Sequence, residues 1–280
     1  MVLGAGLGSR LKPFTTRTPK PLIPVLGVPC IEFSLLNLRE AGVSDVIINV
    51  HAHSDQMRMY FESDPVLGMD LHESNEDKLL LGSAGGFRKA LPFFKGQPFF
   101  SMNADVLHLA PLQALAEAHA RLRKERGVVM TLVLASGEIA SKQTGAYTEI
   151  QVDQKAGIVM GLGGKKVGVP FYTGSAIFEP EAFEALTFDQ PAEFAPEVLG
   201  PAIRAGKVGF IESDALWLDV GSPELWKIAI ESLQAAKNLP PFLSKRLKEA
   251  DPTLGGRFEL GKNKIRLDDI EYEIEGLRRS

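Results

Sequence analysis

The chain has 280 residues, of which 45% are hydrophobic and 24% are charged, and its formal net charge is −4. This length can bury a substantial core, and the composition is ordinary for a globular protein. The weak negative charge argues against nucleic-acid and membrane partners, and no apolar run is long enough to cross a bilayer. The single cysteine, Cys30, excludes an internal disulfide. A lone cysteine fits the reducing cytoplasm, and we expect Cys30 to be a small buried apolar residue.

The first 135 residues alternate between strand and helix patterns. The predicted elements are strand MVLGAG, helix CIEFSLLNLREAG, strand DVIINV, helix SDQMRMYFES, strand GMDLHES, helix SAGGFRKALPFF, strand QPFFSMNAD, helix LQALAEAHARLRKE and strand GVVMTLVLA. Such alternation predicts a parallel sheet with helices on both faces. Only three residues precede Gly4, which is short for a central strand, so we expect the natural chain to begin a few residues earlier.

The rhythm changes after about residue 136. Three strands separated by glycine turns predict an antiparallel section, and they are followed by a helix, two strands and a last helix: AYTEIQVD, AGIVMGL, PFYTGSAIF, EVLGPAIRAG, KVGFIES, ALWLDV and PELWKIAIESLQAA. Ser222 is the predicted N-cap of that last helix, with Pro223 at its first position. We therefore predict one domain over residues 1–237. Residues 238–280 form a C-terminal extension for which the sequence predicts no role.

The glycine-rich start MVLGAGLGSR allows three interpretations. A dinucleotide-binding G-x-G-x-x-G turn requires a third glycine, where this chain has Ser9, and a helix at the point where Pro13 stands. A P-loop requires G-x-x-x-x-G-K-[ST], which does not occur in the chain. The third interpretation is a loop for a nucleoside triphosphate, in which backbone amides around Gly4, Gly6, Gly8 and Ser9 cradle phosphates.

The whole string GAGLGSRLKPFTTRTPKPLIPVLGVP resembles the signature of the sugar-phosphate nucleotidylyltransferases. Further segments resemble the same family in the same order, namely LLGSAGGFRKALPFF, FFSMNAD, FYTGSAIFEPEAF and WLDVGSPE. The resemblance covers roughly residues 1–235. INVHAHSDQM is most similar to the N-acetylmuramate-1-phosphate uridylyltransferase and mannose-1-phosphate guanylyltransferase branches.

This resemblance implies a mixed Rossmann-like α/β sheet with helices on both faces, the nucleotide-diphospho-sugar transferase fold. It also implies transfer of a nucleotide from an NTP to a sugar 1-phosphate, with Mg²⁺ as the cofactor. UTP with N-acetylmuramate 1-phosphate and GTP with mannose 1-phosphate are the favoured pairs. The sequence leaves the oligomeric state open.

The resemblance also assigns roles to individual residues. It implies Arg10, Lys20 and Asp105 as catalytic residues and Asp105 and Asp219 as metal ligands. The nucleotide-binding candidates are Leu3, Gly4, Gly6, Gly8, Ser9, Arg10, Gly85, Gly86 and Asn103, and the sugar-side candidates are Gly145, Thr173 and Gly174. The family's F-x-E-K-P segment is replaced here by LGGKKVGVP, so the identity of the sugar is open.

Two alternatives remain at this point. A catalytically inactive nucleotide-sugar-binding subunit on the same fold would also carry the motifs, although such subunits often lose a metal carboxylate or the lysine. An NAD-dependent enzyme is the other alternative. His51 and His53 suggest a metal site, but no third ligand is spaced nearby, so we expect structural or sugar-pocket roles for them.

Overall fold

A computed structural model describes residues 1–63, 68–143, 147–250, 258–261 and 264–274. The helices are α1 (Cys30–Glu40), α2 (Ser54–Glu62), α3 (Gly82–Phe94), α4 (Leu112–Arg126), α5 (Gly137–Lys142), α6 (Gly200–Arg204), α7 (Pro223–Ala235) and α8 (Pro241–Lys248). The strands are β1 (Val2–Leu3), β2 (Pro24–Val25), β3 (Val28–Pro29), β4 (Asp45–Val50), β5 (Asp70–Asn75), β6 (Phe99–Asn103), β7 (Val106–His108), β8 (Met130–Ala135), β9 (Tyr147–Asp153), β10 (Ile158–Lys166), β11 (Tyr172–Phe178), β12 (Val208–Ser213), β13 (Trp217–Asp219), β14 (Phe258–Leu260), β15 (Lys264–Leu267) and β16 (Ile270–Glu273).

Nine strands form one mixed sheet in the order β5-β4-β1-β6-β11-β8-β12-β10-β9. The half that comes first in the chain is parallel, because β4 pairs in parallel with both β5 and β1, and β1 pairs in parallel with β6. β11 is antiparallel to β6 and β8, and the β9–β10 hairpin closes the far edge. The predicted fold class, a mixed α/β sheet with a parallel and an antiparallel section, is confirmed.

Strand β4 shows why these residues lie at the centre of a covered sheet. Val46, Ile48 and Val50 pack into the core on one face, with α1 and α7, while Ile47 packs into the opposite core with α3. Alternate residues of a strand point to opposite faces, so an uninterrupted apolar run suits a strand with helices on both sides.

The carboxyl ends of the parallel strands meet at one edge of the sheet. Leu3, the last residue of β1, lies opposite Asn49 of β4 on one side and Asn103 of β6 on the other. Beside this edge, β7 and β13 form a separate antiparallel pair in which Asp219 is opposite Val106. Ligands of open α/β sheets bind at this kind of edge.

The structure differs from the sequence-based prediction in one helix and adds elements that the sequence did not predict. EVLGPAIRAG opens as a π-helical turn at Ala195–Leu199 before α6 begins, and the sequence pattern did not predict α5 or the elements after Asn238. The Ser222 cap is confirmed, since its hydroxyl accepts a hydrogen bond from the Leu225 amide at 3.3 Å. In the part of the chain that the structure describes, no helix is long and apolar enough to span a bilayer.

Candidate active site

The segment that follows β1, residues 4–18, is called the glycine loop here. It is built from short turns rather than from a helix. Ser9–Leu11 forms a 3₁₀ turn in which the Leu11 amide donates to the Gly8 carbonyl at 2.9 Å. Gly8 has φ +60°, and a Cβ there would lie 2.7 Å from Cγ2 of Thr15, so this position needs glycine. The first α-helix begins only at Cys30. The loop therefore lacks the helix N-terminus on which a dinucleotide-binding turn depends.

The Gly4 amide has a hydrogen-bond partner within the protein. It donates to Oδ1 of Asn49 at 2.8 Å, and Nδ2 of Asn49 donates to Oε1 of Glu76 at 2.8 Å. A Cβ on Gly6, by contrast, would meet no atom within 4 Å. A ligand at the loop can therefore approach the backbone of Gly6, while Gly4 is held by its own strand neighbour.

Glu76 extends this network from the glycine loop to the start of α3. Its Oε2 accepts from the Leu81 amide at 2.9 Å, immediately before α3, and its carbonyl accepts from Nδ1 of His51 at 2.7 Å. Asn49 and Glu76 are each 2% exposed. Burial raises the pKa of the Glu76 carboxyl, and its two amide donors oppose that shift. Buried, paired polar groups of this kind fix the distance between the two walls that they join.

Four predicted charged residues meet beside the glycine loop. Nζ of Lys20 is in direct contact with Oδ2 of Asp105. The backbone places Asp219 next to them, because the Val220 amide donates to the Asp105 carbonyl at 3.1 Å. A Cβ built on Gly221 would lie 2.7 Å from Oδ1 of Asp219 and 2.9 Å from Nη2 of Arg10, so the Arg10 guanidinium and the Asp219 carboxylate face the same small space. The strand pair β7–β13 thus brings together two carboxylates that are far apart in sequence.

The pKa of the Asp219 carboxyl is raised, first by burial and then by the negative charge of Asp105. The Gly221 amide donates to its Oδ1 at 2.6 Å, and the Tyr147 hydroxyl donates to its Oδ2 at 3.3 Å. Burial and Asp219 raise the pKa of Tyr147, so this hydroxyl stays protonated and remains a donor. A buried carboxylate with a second carboxylate beside it forms a site that favours a cation.

A cleft of about 400 Å³ opens between the glycine loop and the start of α3. Its described lining residues are Leu3, Gly4, Ala5, Gly6, Gly8, Lys20, Pro21, Asn49, Leu80, Gly82, Ser83, Phe87, Asn103, Ala104, Asp105, Tyr172, Glu193 and Phe194. The backbone of Asn103 is held by α1, because the Ser34 hydroxyl donates to the Asn103 carbonyl at 2.9 Å. The cleft therefore has apolar and aromatic walls with the Lys20–Asp105 pair at one end, as small-molecule sites usually do.

Gly85 and Gly86 lie inside α3, and neither is among the described residues that line the cleft. A Cβ on Gly85 would lie 2.5 Å from the Gln190 carbonyl, and one on Gly86 would lie 2.9 Å from Nδ2 of Asn49. The packing of α3 on its neighbours therefore explains both glycines without a base. The residues of this helix that line the cleft are Gly82 and Ser83, one turn earlier, and Phe87.

The sugar-side predictions have mixed placements. Gly145 lies outside the described residues. Thr173 is 2% exposed, and its hydroxyl donates to the Val133 carbonyl at 2.8 Å, within the sheet. Gly174 has φ +85°, and a Cβ there would lie 2.7 Å from Nδ2 of Asn103. Gly174 thus gives the Asn103 side chain room beside β11.

Cys30 is fully buried as expected, and burial raises the pKa of its thiol. Among the residues that the structure describes, no group of three His, Cys, Asp or Glu side chains could hold a metal ion by itself. His51 bonds the Glu76 carbonyl, and Nε2 of His53 donates to the Thr15 carbonyl at 3.1 Å. Both histidines therefore have structural partners, in line with the interpretation preferred above.

Sequence reasoning missed Asn49, Glu76 and Tyr147. Asn49 carried a usable signal, because it is a polar residue within the apolar strand DVIINV. Glu76 stands in the polar stretch SNEDK, where nothing distinguishes a buried carboxylate from an exposed one. Tyr147 reaches Asp219 only in the folded sheet, where its ring stacks on Phe171 at 4.3 Å between ring centroids.

A model of the nucleotidyl transferase family matches residues 1–235. The chain belongs to this family. It is 31% identical over 222 residues to N-acetylmuramate alpha-1-phosphate uridylyltransferase of Neisseria meningitidis, covering 79% of this chain and 92% of that protein. It is 28% identical over 242 residues to UTP–glucose-1-phosphate uridylyltransferase of Synechocystis and 26% identical over 230 residues to mannose-1-phosphate guanyltransferase beta-A of Xenopus laevis. The chain spans 61% of each of these last two proteins.

Solved nucleotidyltransferase structures share the fold. HddC from Yersinia pseudotuberculosis complexed with GMP-PN superposes with a TM-score of 0.69 at 19% identity, over 83% of this chain and 97% of that one. A putative glucose-1-phosphate thymidylyltransferase from Bacillus anthracis gives a TM-score of 0.69 at 17% identity, over 86% and 97% of the two chains. The chain is thus an enzyme of the sugar-1-phosphate nucleotidylyltransferase family with the nucleotide-diphospho-sugar transferase fold.

Proposed function

We propose that this protein is a Mg²⁺-dependent sugar-1-phosphate nucleotidylyltransferase, which joins an NTP and a sugar 1-phosphate into an NDP-sugar and pyrophosphate. The proposal is supported by the grouping of Lys20, Asp105, Asp219 and Arg10 beside the glycine loop. Lys20 and Asp105 of this group line the cleft. An inactive sugar-nucleotide-binding subunit would not need all four charged groups. The complete set favours the catalytic alternative.

The proposed nucleotide site uses both cleft walls. Arg10 binds the β- and γ-phosphates through its guanidinium fork, and Lys20 binds the α-phosphate and the incoming sugar phosphate. Gly6, Gly8 and Ser9 offer backbone around the phosphates, and Leu3 and Asn103 contact the base or ribose. Gly82 and Ser83 replace Gly85 and Gly86 as the candidates from α3, because they line the cleft.

The transfer needs little covalent help from the protein. A phosphate oxygen of the sugar 1-phosphate attacks the α-phosphorus, a new P–O bond forms, and the bond from the α-phosphorus to the bridging oxygen of the β-phosphate breaks. Pyrophosphate leaves with that electron pair, and no proton transfer is required. Lys20 and Arg10 hold two polyanions in line and offset the charge that develops on the transferred phosphorus.

The two carboxylates fit a magnesium ion. Asp219 ends β13 opposite Val106, and Asp105 immediately precedes Val106, so two hard oxygen ligands lie at the same end of this strand pair. Mg²⁺ is usually held by one or two carboxylates together with substrate phosphates. When bound, the ion would neutralise charge on the α-phosphate. Burial and then the charge of Asp105 raise the pKa of the Asp219 carboxyl, and a cation beside the two acids would offset the second of these causes.

For the sugar side, we retain Gly145 and the backbone at Thr173 and Gly174, and we add Tyr172 and Glu193 from the cleft wall. UTP with N-acetylmuramate 1-phosphate is the first substrate pair to test. It is supported by the 31% identity to the Neisseria protein of that name and by the 92% coverage of its length. GTP with mannose 1-phosphate is the second pair, supported by the Xenopus relative.

The test is pyrophosphate release from a matrix of four NTPs and several sugar 1-phosphates, with and without Mg²⁺. We expect one pair to dominate and turnover to need the metal. Lys20→Ala should abolish turnover, while Asp45→Asn, at the opposite end of β4, should match the wild type. Tight binding of an NDP-sugar without turnover of any pair would favour the inactive-subunit alternative. Absence of both turnover and binding would contradict the proposal.

A further inference from the structure

The C-terminal extension, defined here as the described residues from 238 to 274, is packed against the same core as the glycine loop. The family match ends at residue 235, so this segment lies outside it. Leu243 and Ile265 are fully buried and Leu267 is 6% exposed. They share one hydrophobic cluster with Leu11 and Phe14 of the glycine loop. The extension is therefore part of the molecule's core rather than an appended tail.

The extension touches one specific part of the glycine loop. The ring of Tyr272 in β16 lies 6.2 Å from the ring of Phe14, which is fully buried and also contacts Trp226 edge-on at 5.1 Å. Nη1 of Arg17 pairs with Oδ1 of Asp269 at 2.6 Å. Both side chains of this pair are more than 60% exposed, so the ion pair contributes little, and the buried aromatic contact carries the docking.

A short chain of contacts leads from Phe14 to the turn at residues 8–11, where we place the phosphates. The next residue, Thr15, donates from its hydroxyl to the Gly8 carbonyl at 2.8 Å. A Cβ on Gly8 would collide with the Thr15 methyl group, so the turn rests directly on this side chain. Arg10 belongs to the same turn, two residues after Gly8. The position of Phe14 and Thr15 therefore determines where the turn and its arginine lie.

We propose that the C-terminal extension positions the glycine loop for the nucleotide, with Tyr272 and Asp269 acting as positioning residues through Phe14 and Arg17. The inference rests on the proposed function, because it assigns the loop to NTP binding. Residues 8–22 form only short 3₁₀ turns. A segment with so little regular structure depends on external packing for one defined shape, and a preformed loop avoids an ordering cost on binding.

The first measurement is amide hydrogen exchange over residues 8–18 in the ligand-free protein. Tyr272→Ala should speed exchange of this segment at least tenfold, while Tyr272→Phe, which keeps the ring, should resemble the wild type. Leu122→Ala controls for general loss of stability, because Leu122 belongs to a separate buried cluster with Val128 and Ile158. Unchanged exchange in Tyr272→Ala, or an equal increase in Leu122→Ala, would overturn the inference.

The second measurement uses the substrate pair found in the matrix assay. Tyr272→Ala should raise the KM for the NTP about tenfold and change the KM for the sugar 1-phosphate less than twofold. Should that variant not fold, Asp269→Arg is the substitute. We expect it to raise the KM for the NTP about twofold and the double variant Arg17→Asp/Asp269→Arg to restore it. An unchanged KM in the folded variant would refute the inference. A wild type without turnover would contradict the proposed function and leave the exchange result standing.

Discussion

Lys20 and Asp105 are in direct contact, so substitution of one changes the charge balance around the other. The Lys20 side chain is 10% exposed and has lost most of its water, so it depends on this partner. Asp219 in β13 bears the opposite consequence, because burial raises the pKa of its carboxyl and the charge of Asp105 raises it further. Asp105 thus stabilises one neighbour and destabilises the other.

We expect Asp105→Asn to abolish metal-dependent turnover and to change the free energy of unfolding by less than about 1 kcal/mol. The lost pairing with Lys20 and the relieved repulsion of Asp219 act in opposite directions. Loss of a charged group at the transition state should lower kcat by roughly 10² or more. Steady-state kinetics and urea unfolding measure the two effects. A fall of several kcal/mol in stability would show that Asp105 is a structural residue instead.

His108 is a second residue for which burial decides the charge. It is 2% exposed, Nδ1 shares a hydrogen bond with Ser175 Oγ at 2.8 Å, and Nε2 has no partner among the described residues. Burial lowers its pKa to about 3. The unfolded chain, with an ordinary histidine pKa of about 6.5, therefore binds more protons between pH 3 and 6.5.

The free energy of unfolding should consequently fall as the pH falls through that window, and His108 alone should account for a loss of ~2 kcal/mol between pH 7 and pH 5. His108→Gln cannot titrate and should show a shallower acid dependence, although His119, whose pKa is also lowered by burial, still contributes. Urea denaturation at several pH values provides the test. Parallel pH profiles for the variant and the wild type would mean that His108 has the same pKa in the folded protein as in the unfolded chain.

At the scale of elements, the start of α3 is fixed by the segment 190–192. The amides of Ala84 and Gly85 donate to the Ala192 carbonyl at 3.0 and 3.2 Å, and the Ala192 amide donates to the Leu81 carbonyl at 2.9 Å. These bonds satisfy amides that a helix N-terminus otherwise leaves free. They also bring the Gln190 backbone so close that position 85 has no room for a methyl group.

Gly85→Ala should therefore lower the free energy of unfolding by about 1–3 kcal/mol, the usual effect of forcing an extra methyl group into packed structure. Gly137→Ala is the matched control, because a Cβ at Gly137 would meet no atom within 4 Å and the residue begins α5. Alanine there should be neutral or mildly stabilising. Equal stability of the two variants, with a raised KM for the NTP in Gly85→Ala only, would instead support a role of Gly85 in base binding.

The sequence could predict more of the charged cluster than of the buried residues that hold the surrounding elements in place. Lys20, Asp105 and Asp219 follow motifs and strand ends that a single chain displays, and the sheet brings them together; their catalytic roles stay predictions. The sequence predicts a base contact for Gly85 and gives no sign of its packing neighbour Gln190, which is 105 residues away in the chain. Glu76 had no local signal for the same reason, since its burial depends on Asn49 of another strand.

At the scale of the whole molecule, the cleft is lined by parts of the chain that are far apart in the sequence. The glycine loop after β1, the end of β6 and the start of α3 all contribute to its wall. The loop also rests on the C-terminal extension through Phe14 and Tyr272. The extension could not be predicted from the sequence, because its strands are three or four residues long and its apolar residues become informative only beside the core that they cover.

A ligand that bridges these parts should stabilise the whole fold, because it binds the native state and not the unfolded chain. We expect a saturating NTP with Mg²⁺ to raise the midpoint of thermal unfolding by roughly 5–10 °C, the shift that ~3 kcal/mol gives for a chain of this size. The NTP alone should give a smaller shift. Asp219→Asn should lose the increment that the metal adds and keep the smaller shift, since Lys20 and the glycine loop are intact, whereas Asp45→Asn should keep both. Equal shifts in the unfolding midpoint with and without Mg²⁺ in the wild type would contradict metal binding by Asp105 and Asp219. An ion held between these two acids and the phosphates must add to the stability of the complex.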